Sequence, residues 1–202
     1  MIQHFYISFV LRKKMKKEEV LKSTEEFVKE RLGNEGTGHD FHHVERVRKN
    51  SFLIGKIEGD VDMYVVELAA LLHDIADHKF HGGDLDVGPR VAREWLESQG
   101  VEEDIVDKVC NIVENVSFKG ANVEAEMKLK EGQIVHDADR LDALGAIGVA
   151  RCFAYGGSKG NPIHLPELDP KYHDSFEEYS KERELLSTTF MRSCCYCLKN
   201  EH

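Results

Sequence analysis

The stretch DMYVVELAALLHDIA (residues 62–76) decides the fold of this chain. Its apolar residues lie nearly all round a helix, which is typical of a helix at the centre of a domain. The adjacent pair His73-Asp74 is nevertheless carried into that interior, and Asp77 follows near the helix end. An ionised carboxylate costs on the order of several kcal/mol in such a place unless it is paired or bound to a metal. The stretch therefore predicts a central helix whose last turn carries the side chains of a functional site.

The rest of the chain is also predicted to be helical. Only four prolines occur in 202 residues, and three of them lie between 162 and 170, so long segments are free to form helices. Helical apolar spacing and glycine stops predict helices at 18–33, 40–58, 62–76, 87–99, 102–116, 133–157 and 173–199, with a charged turn or short helix at 124–132. No β-alternation of any length interrupts them. The predicted fold class is all-α, a single-domain helical bundle.

The length suits one good-sized domain, which we expect to span residues 16–202. Residues 1–15 are expected to be an N-terminal extension, either disordered or an artefact of the assigned start, since helix-like sequence begins just after Met15. Their apolar stretch is too short to span a bilayer, and its basic residues follow it, unlike those of a signal peptide.

Composition narrows the class of protein. Hydrophobic residues make up 41% and charged residues 32%, as in soluble globular proteins. A formal net charge of −10 argues against binding to a nucleic acid duplex, which needs clustered cations. Five cysteines without a secretory leader indicate reduced thiols and a cytoplasmic location. We expect no membrane association, and the sequence leaves open whether the chain forms a homo-oligomer.

Three predicted helices each direct metal-binding side chains inward. His43 lies on or beside the apolar face of the helix 40–58, and Asp139 stands on a helix with little polar surface. Together with His73 and Asp74 they make two imidazoles and two carboxylates. Such a mixed nitrogen and oxygen set suits a divalent transition metal and leaves coordination positions for water or substrate oxygen.

These residues carry a resemblance to a known family. The stretch GHDFHHVERV (38–47), the His73-Asp74 pair after an apolar helix, and HDADRLDALGAIGVARCFAYGG (136–157) together resemble the H…HD…D pattern of the HD-domain metal-dependent phosphohydrolases. The resemblance covers residues 38–157 and is strongest for a subgroup of small single-domain hydrolases. It implies an HD-type helical bundle.

Carried over residue by residue, the resemblance implies that His43, His73, Asp74 and Asp139 are the metal ligands. His39 and His42 fit less well, because only His43 precedes the x-x-Arg-Val of the motif. Asp137 is a rival to Asp139, which occupies the Ala-Asp-Arg-Leu position. No histidine lies between residues 82 and 135, where two-metal members carry more, so we expect one ion. Mn²⁺ is favoured, with Co²⁺, Ni²⁺, Fe²⁺, Zn²⁺ or Mg²⁺ as alternatives.

The activity that the resemblance implies is hydrolysis of nucleotides. In the subgroup, nucleoside triphosphates are cleaved to monophosphate and pyrophosphate, by attack of a metal-bound water on a phosphoanhydride. Two alternatives stay open: a phosphomonoesterase acting on nucleoside monophosphates, and a non-catalytic HD module that senses nucleotides.

Further roles are predicted near the end of the central helix. Asp77 is expected to be catalytic, because it can face the metal's water without ligating the ion, and either orient that water or transfer a proton. His78, Lys79 and Arg140 are expected to bind the substrate phosphates. Asp142, one turn beyond Asp139, is expected to hold a ligand histidine or a helix end.

Overall fold

The computed structural model describes residues 2–76, 86–116 and 127–163, with side chains described from Lys16 onward. Seven helices and no strand lie in those ranges, which confirms the all-α class. They are α1 (Ile2–Leu32), α2 (Phe41–Glu58), α3 (Met63–Leu72), α4 (Val87–Ser98), α5 (Glu103–Val116), α6 (Lys130–Asp142) and α7 (Gly145–Ser158). The helix predicted at 173–199 lies outside the described residues.

Helix α3 is the centre of the bundle, as its apolar sequence predicts. It packs against α1, α2, α5 and α6. Every residue from Leu68 to Leu72 is buried, and Val65 and Val66 are fully covered. Because α3 is surrounded on all sides, whatever follows its last turn must begin in the interior.

Two aspartates start the helices that lead into the site. The carboxylate of Asp40 accepts the backbone N–H of His43 at 2.8 Å, and that of Asp62 accepts the N–H of Tyr64 at 2.9 Å. Such caps satisfy amide groups that have no partner within the helix. The first cap fixes the turn of α2 that carries His43.

The prediction of one buried helix at 133–157 is wrong. The segment forms two helices, because Leu144 is extended and Gly145 adopts a φ of +64°, a left-handed conformation that favours glycine. A Cβ on Gly148 would lie 2.0 Å from the carbonyl oxygen of Ala143, so only glycine permits this close return of α7. In α7, Ile147 and Phe153 are exposed rather than buried.

Two further differences concern helix ends. Helix α3 stops at Leu72, and residues 73–76 form a turn rather than continued helix. Helix α1 begins at Ile2, so helical backbone runs through the predicted N-terminal extension. The boundary of the domain at residue 16 stays a prediction.

None of the described helices combines the length and the apolar character that crossing a bilayer requires.

Candidate metal centre

His43 enters the site from the first turn of α2. Its side chain is completely buried, and its Nε2 points toward the end of α3. The helix turns the opposite face of this segment outward, and His42 on that face is 76% exposed. Of these two neighbouring histidines, the structure therefore brings only His43 into the interior.

His73 and Asp74 enter from the turn that follows α3. The Nε2 of His73 lies 3.2 Å from the Nε2 of His43. The Oδ2 of Asp74 lies 3.2 Å from the Nε2 of His43 and 3.5 Å from that of His73. The helix end thus delivers both side chains to the same point, although the two residues are adjacent in sequence.

Asp139 completes the group from α6. Its Oδ1 lies 3.4 Å from the Nε2 of His43 and 3.9 Å from the Nε2 of His73. Asp137, the rival carboxylate, is 68% exposed and lies beside His136 at the surface. The four side chains predicted as ligands are therefore neighbours, whereas the rival carboxylate points to solvent.

Both imidazoles turn the same nitrogen toward the group. The Nδ1 of His73 lies 2.8 Å from the carbonyl oxygen of Ala70, and the Nδ1 of His43 lies 2.7 Å from the Oδ2 of Asp142. Each Nδ1 faces an acceptor, so the neutral form of each ring is favoured with its proton on Nδ1, which leaves Nε2, on the side of the carboxylates, as the nitrogen available to a metal. Asp142 thus holds His43, as its position one turn beyond Asp139 predicted.

The spacing of the donor atoms fits a divalent ion. Metal–ligand bonds of about 2.1 Å place neighbouring ligand atoms about 3.0–3.4 Å apart for octahedral or tetrahedral angles. Three of the separations lie between 3.2 and 3.4 Å, and the two from the Nε2 of His73 to Asp74 and Asp139 are longer, at 3.5 and 3.9 Å. Two sets of three side chains each have ligand atoms close enough to bind one ion: His43, His73 and Asp139, and His39, His43 and Asp74. His43 belongs to both sets.

The pKa values of the metal-free side chains also indicate that this group attracts cations. Burial acts to lower the pKa of His43, but its hydrogen bonds to Asp142 and Asp74 outweigh burial and raise the pKa to about 9. The pKa of Asp74 is lowered well below its usual value despite burial, through His73, His39 and His43. The pKa of Asp139 is lowered by Arg140 and the two buried histidines. The group thus holds negative charge that attracts cations, protons included.

His39, which fits the motif less well than His43, also lies beside the group. Its Nδ1 lies 2.8 Å from the Oδ2 of Asp74, and its side chain is 24% exposed. The carboxylate of Glu35 accepts the N–H groups of Thr37 and His39 and shapes the loop that carries the ring. Helical periodicity cannot place a loop residue, but the capping position of Asp40 could have signalled that His39 begins the same turn as His43.

Of the residues predicted to act on the substrate, only Arg140 lies in the described part of the chain. The Nη1 of Arg140 lies 3.6 Å from the Oδ2 of Asp139, and its Nη2 donates to the carbonyl oxygen of Val116 at 3.3 Å. It thus borders the group, next to the carboxylate expected to bind the ion. Asp77, His78 and Lys79 lie outside the described residues, and their roles stay predictions.

Comparison with known proteins identifies the family. Residues 40–144 match the model of the HD domain. The chain is 35% identical over 162 residues to the uncharacterised protein YpgQ of Bacillus subtilis, covering 80% of this chain and 78% of YpgQ.

Solved structures agree with that assignment. A protein from Lactobacillus plantarum superposes with a TM-score of 0.75 at 29% identity, over 87% of this chain and 80% of the other. An HD-superfamily hydrolase from Bacillus thuringiensis does so with a TM-score of 0.57 at 34% identity, over 91% and 93%. The chain therefore belongs to the HD-domain family of hydrolases.

Proposed function

We propose that this chain is a metal-dependent phosphohydrolase acting on nucleotides, and that it converts nucleoside triphosphates to monophosphates and pyrophosphate. The observation that carries the proposal is the convergence of two buried histidines and two partly buried aspartates, with the Nε2 of both imidazoles facing the carboxylates. The nucleotide class is supported by a relative: YpgQ has been crystallised with ADP, in a structure 30% identical to this chain with a TM-score of 0.55.

In this proposal His43, His73, Asp74 and Asp139 hold one divalent ion, with Mn²⁺ favoured over Co²⁺, Ni²⁺, Fe²⁺, Zn²⁺ or Mg²⁺. When bound, the ion would polarise a phosphoryl oxygen and lower the pKa of water. Its charge would also offset the burial of Asp74 and Asp139, whose side chains are only 14% and 18% exposed.

The protein side chains would position the substrate and move the proton. Hydrolysis adds the oxygen of water to the α-phosphorus, breaks the bond from that phosphorus to the bridging oxygen, and releases pyrophosphate. Asp77 would orient the water or accept its proton, and a proton then returns to the leaving oxygen. His78, Lys79 and Arg140 would spread the charge that develops on the phosphates.

The test compares two aspartates of one helix. Wild type, Asp139→Ala and the matched control Asp137→Ala are assayed against a panel of nucleoside mono-, di- and triphosphates with Mn²⁺, Co²⁺, Ni²⁺ and Mg²⁺. We expect triphosphate cleavage by wild type and by Asp137→Ala, whose side chain is 68% exposed, and none by Asp139→Ala.

The released product decides between the chemistries. Pyrophosphate from triphosphates supports the proposal. Orthophosphate from monophosphates would replace it with a phosphomonoesterase. Turnover of no nucleotide under any of the metals would replace it with a nucleotide-sensing module. A cytoplasmic location and the absence of nucleic acid duplex or membrane partners stay predictions from composition.

A further inference from the structure

One buried carboxylate outside the predicted ligand set accepts four hydrogen bonds from three residues. Asp142 is only 5% exposed at its side chain. Its Oδ1 accepts Nε of Arg46 at 2.6 Å, while its Oδ2 accepts Nη2 of Arg46 at 3.0 Å, Nη1 of Arg151 at 3.1 Å and Nδ1 of His43 at 2.7 Å. Both oxygens are therefore occupied, and the carboxylate has a fixed orientation.

The two arginines that bind Asp142 come from different helices. Arg46 lies one turn beyond His43 on α2, and Arg151 comes from α7. Arg151 also donates its Nε to the carbonyl oxygen of Gly38 at 2.6 Å. The two arginines that hold the carboxylate thus belong neither to its own helix nor to the predicted ligand set. It can act on His43 as a rigid acceptor.

The two buried imidazoles differ in what orients them. The acceptor for the Nδ1 of His73 is the backbone carbonyl of Ala70, within the same helical turn. The acceptor for the Nδ1 of His43 is a side chain ninety-nine positions away in sequence. A backbone carbonyl can only accept, whereas an amide in place of Asp142 could accept or donate. The tautomer of His43 therefore depends on the identity of residue 142, and that of His73 does not.

We propose that Asp142 is a positioning residue, which selects the tautomer of His43 with the proton on Nδ1 and so directs the Nε2 lone pair at the metal. The inference rests on the proposed function in that His43 must bind a divalent ion. It assigns Asp142 no contact with substrate or ion. The arginines serve to keep its oxygens in place.

The test separates this role from a merely structural one. The Mn²⁺ affinities of wild type, Asp142→Asn and Asp107→Asn are measured by calorimetric titration. Asp107 is 61% exposed and also pairs with an arginine, so its variant controls for the loss of an ion pair alone. We expect Asp142→Asn to weaken Mn²⁺ binding about 10- to 100-fold, and Asp107→Asn to leave it unchanged. A folded Asp142→Asn with wild-type affinity would overturn the inference.

Nitrogen-15 spectra of the histidine rings in the Zn²⁺-loaded proteins give a second readout, the position of the ring proton. In wild type this readout tests the predicted tautomer without any substitution. His43 and His73 should both carry the proton on Nδ1 in wild type, and only His43 should lose this single tautomer in Asp142→Asn. A wild-type His43 with its proton on Nε2, or equal disturbance of both rings, would overturn the inference. Mn²⁺ binding without nucleotide turnover would defeat the proposed function and leave this inference standing.

Discussion

Two groups of arginine and carboxylate side chains on this molecule use the same chemistry in different surroundings. In one, Asp142 binds Arg46, Arg151 and His43 with its own side chain 5% exposed. In the other, Arg93 on α4 binds Glu103 and Asp107 on α5, which are 68% and 61% exposed. Water competes for the second group and is largely excluded from the first.

The difference in exposure between the two groups indicates which charges can hold a neighbouring side chain in place. An exposed ion pair contributes little, because water and salt screen it. A buried carboxylate must keep all its donors, because each lost partner leaves a charged or polar group without solvent. Charge beside the predicted metal ligands therefore depends on its protein partners, whereas charge on α4 and α5 is also solvated by water.

Removing the buried carboxylate should have the largest effect on folding. Asp142→Ala leaves the donors on His43, Arg46 and Arg151 without their acceptor. We expect a loss of about 2–3 kcal/mol in the free energy of unfolding, below the full value for a buried pair because Arg46 is 36% exposed. Urea denaturation of the metal-free protein measures it, and a loss no greater than that of Asp107→Ala would erase the contrast between the two groups.

Metal should stabilise the protein through the predicted ligands beside Asp142 and not through the exposed pairs of α4 and α5. At a free Mn²⁺ concentration of about 100 times the dissociation constant, binding to the folded state should stabilise the protein by about 2.7 kcal/mol. The gain should vanish in Asp139→Ala, because a ligand is lost, and persist in Asp107→Ala. Thermal unfolding with and without Mn²⁺ measures it, and equal gains in both variants would place the ion elsewhere.

Without metal, the buried group should make stability depend on alkaline pH. The pKa of His43 is raised from 6.5 to about 9, so the folded state holds its proton more tightly than the unfolded state. The resulting stabilisation is fully present below pH 6.5 and is lost as pH rises through about 9. Denaturation of the metal-free protein at about pH 6 and about pH 9.5 should show this decline, and His43→Gln should show a smaller one.

The exposed group should respond least. Asp107→Ala should leave the midpoint of denaturation unchanged within error, since both partners of the lost contact stay solvated. Any small change should disappear at high salt, because exposed charges are screened. A salt-resistant loss in this variant would show that the α4 and α5 pairs are more than surface contacts.

Much of the fold followed from local pattern, and the exceptions have physical causes. Apolar periodicity and glycine stops placed α4 and α5 almost to the residue, because these helices have one clear apolar face. The bounds of α2 were predicted equally well, although its apolar residues Leu53 and Ile57 are exposed. The break between α6 and α7 was missed, since Gly145 and Gly148 also fit a closely packed continuous helix. The close approach of the Ala143 carbonyl to the Cβ position of Gly148 depends on the backbone geometry of the turn between the helices, which residue spacing does not reveal.

The candidate site was predictable where helices carry it. His43 and Asp139 lie on helix faces with defined direction, and His73 and Asp74 follow a helix that can only end inside the molecule. His39 comes from a loop, where no periodicity exists, and its approach to Asp74 depends on the turn shaped by Glu35. Asp77, which the sequence analysis assigned to catalysis, stays a prediction.

The central claim is that His43, His73, Asp74 and Asp139 together hold a divalent ion. Calorimetric titration of metal-free wild type and Asp139→Ala with Mn²⁺, beside Asp137→Ala, tests it most directly. The account predicts saturable binding of about one ion by wild type and by Asp137→Ala, and binding weakened at least about 100-fold in Asp139→Ala. Equal binding by all three proteins, or binding by none, would contradict it.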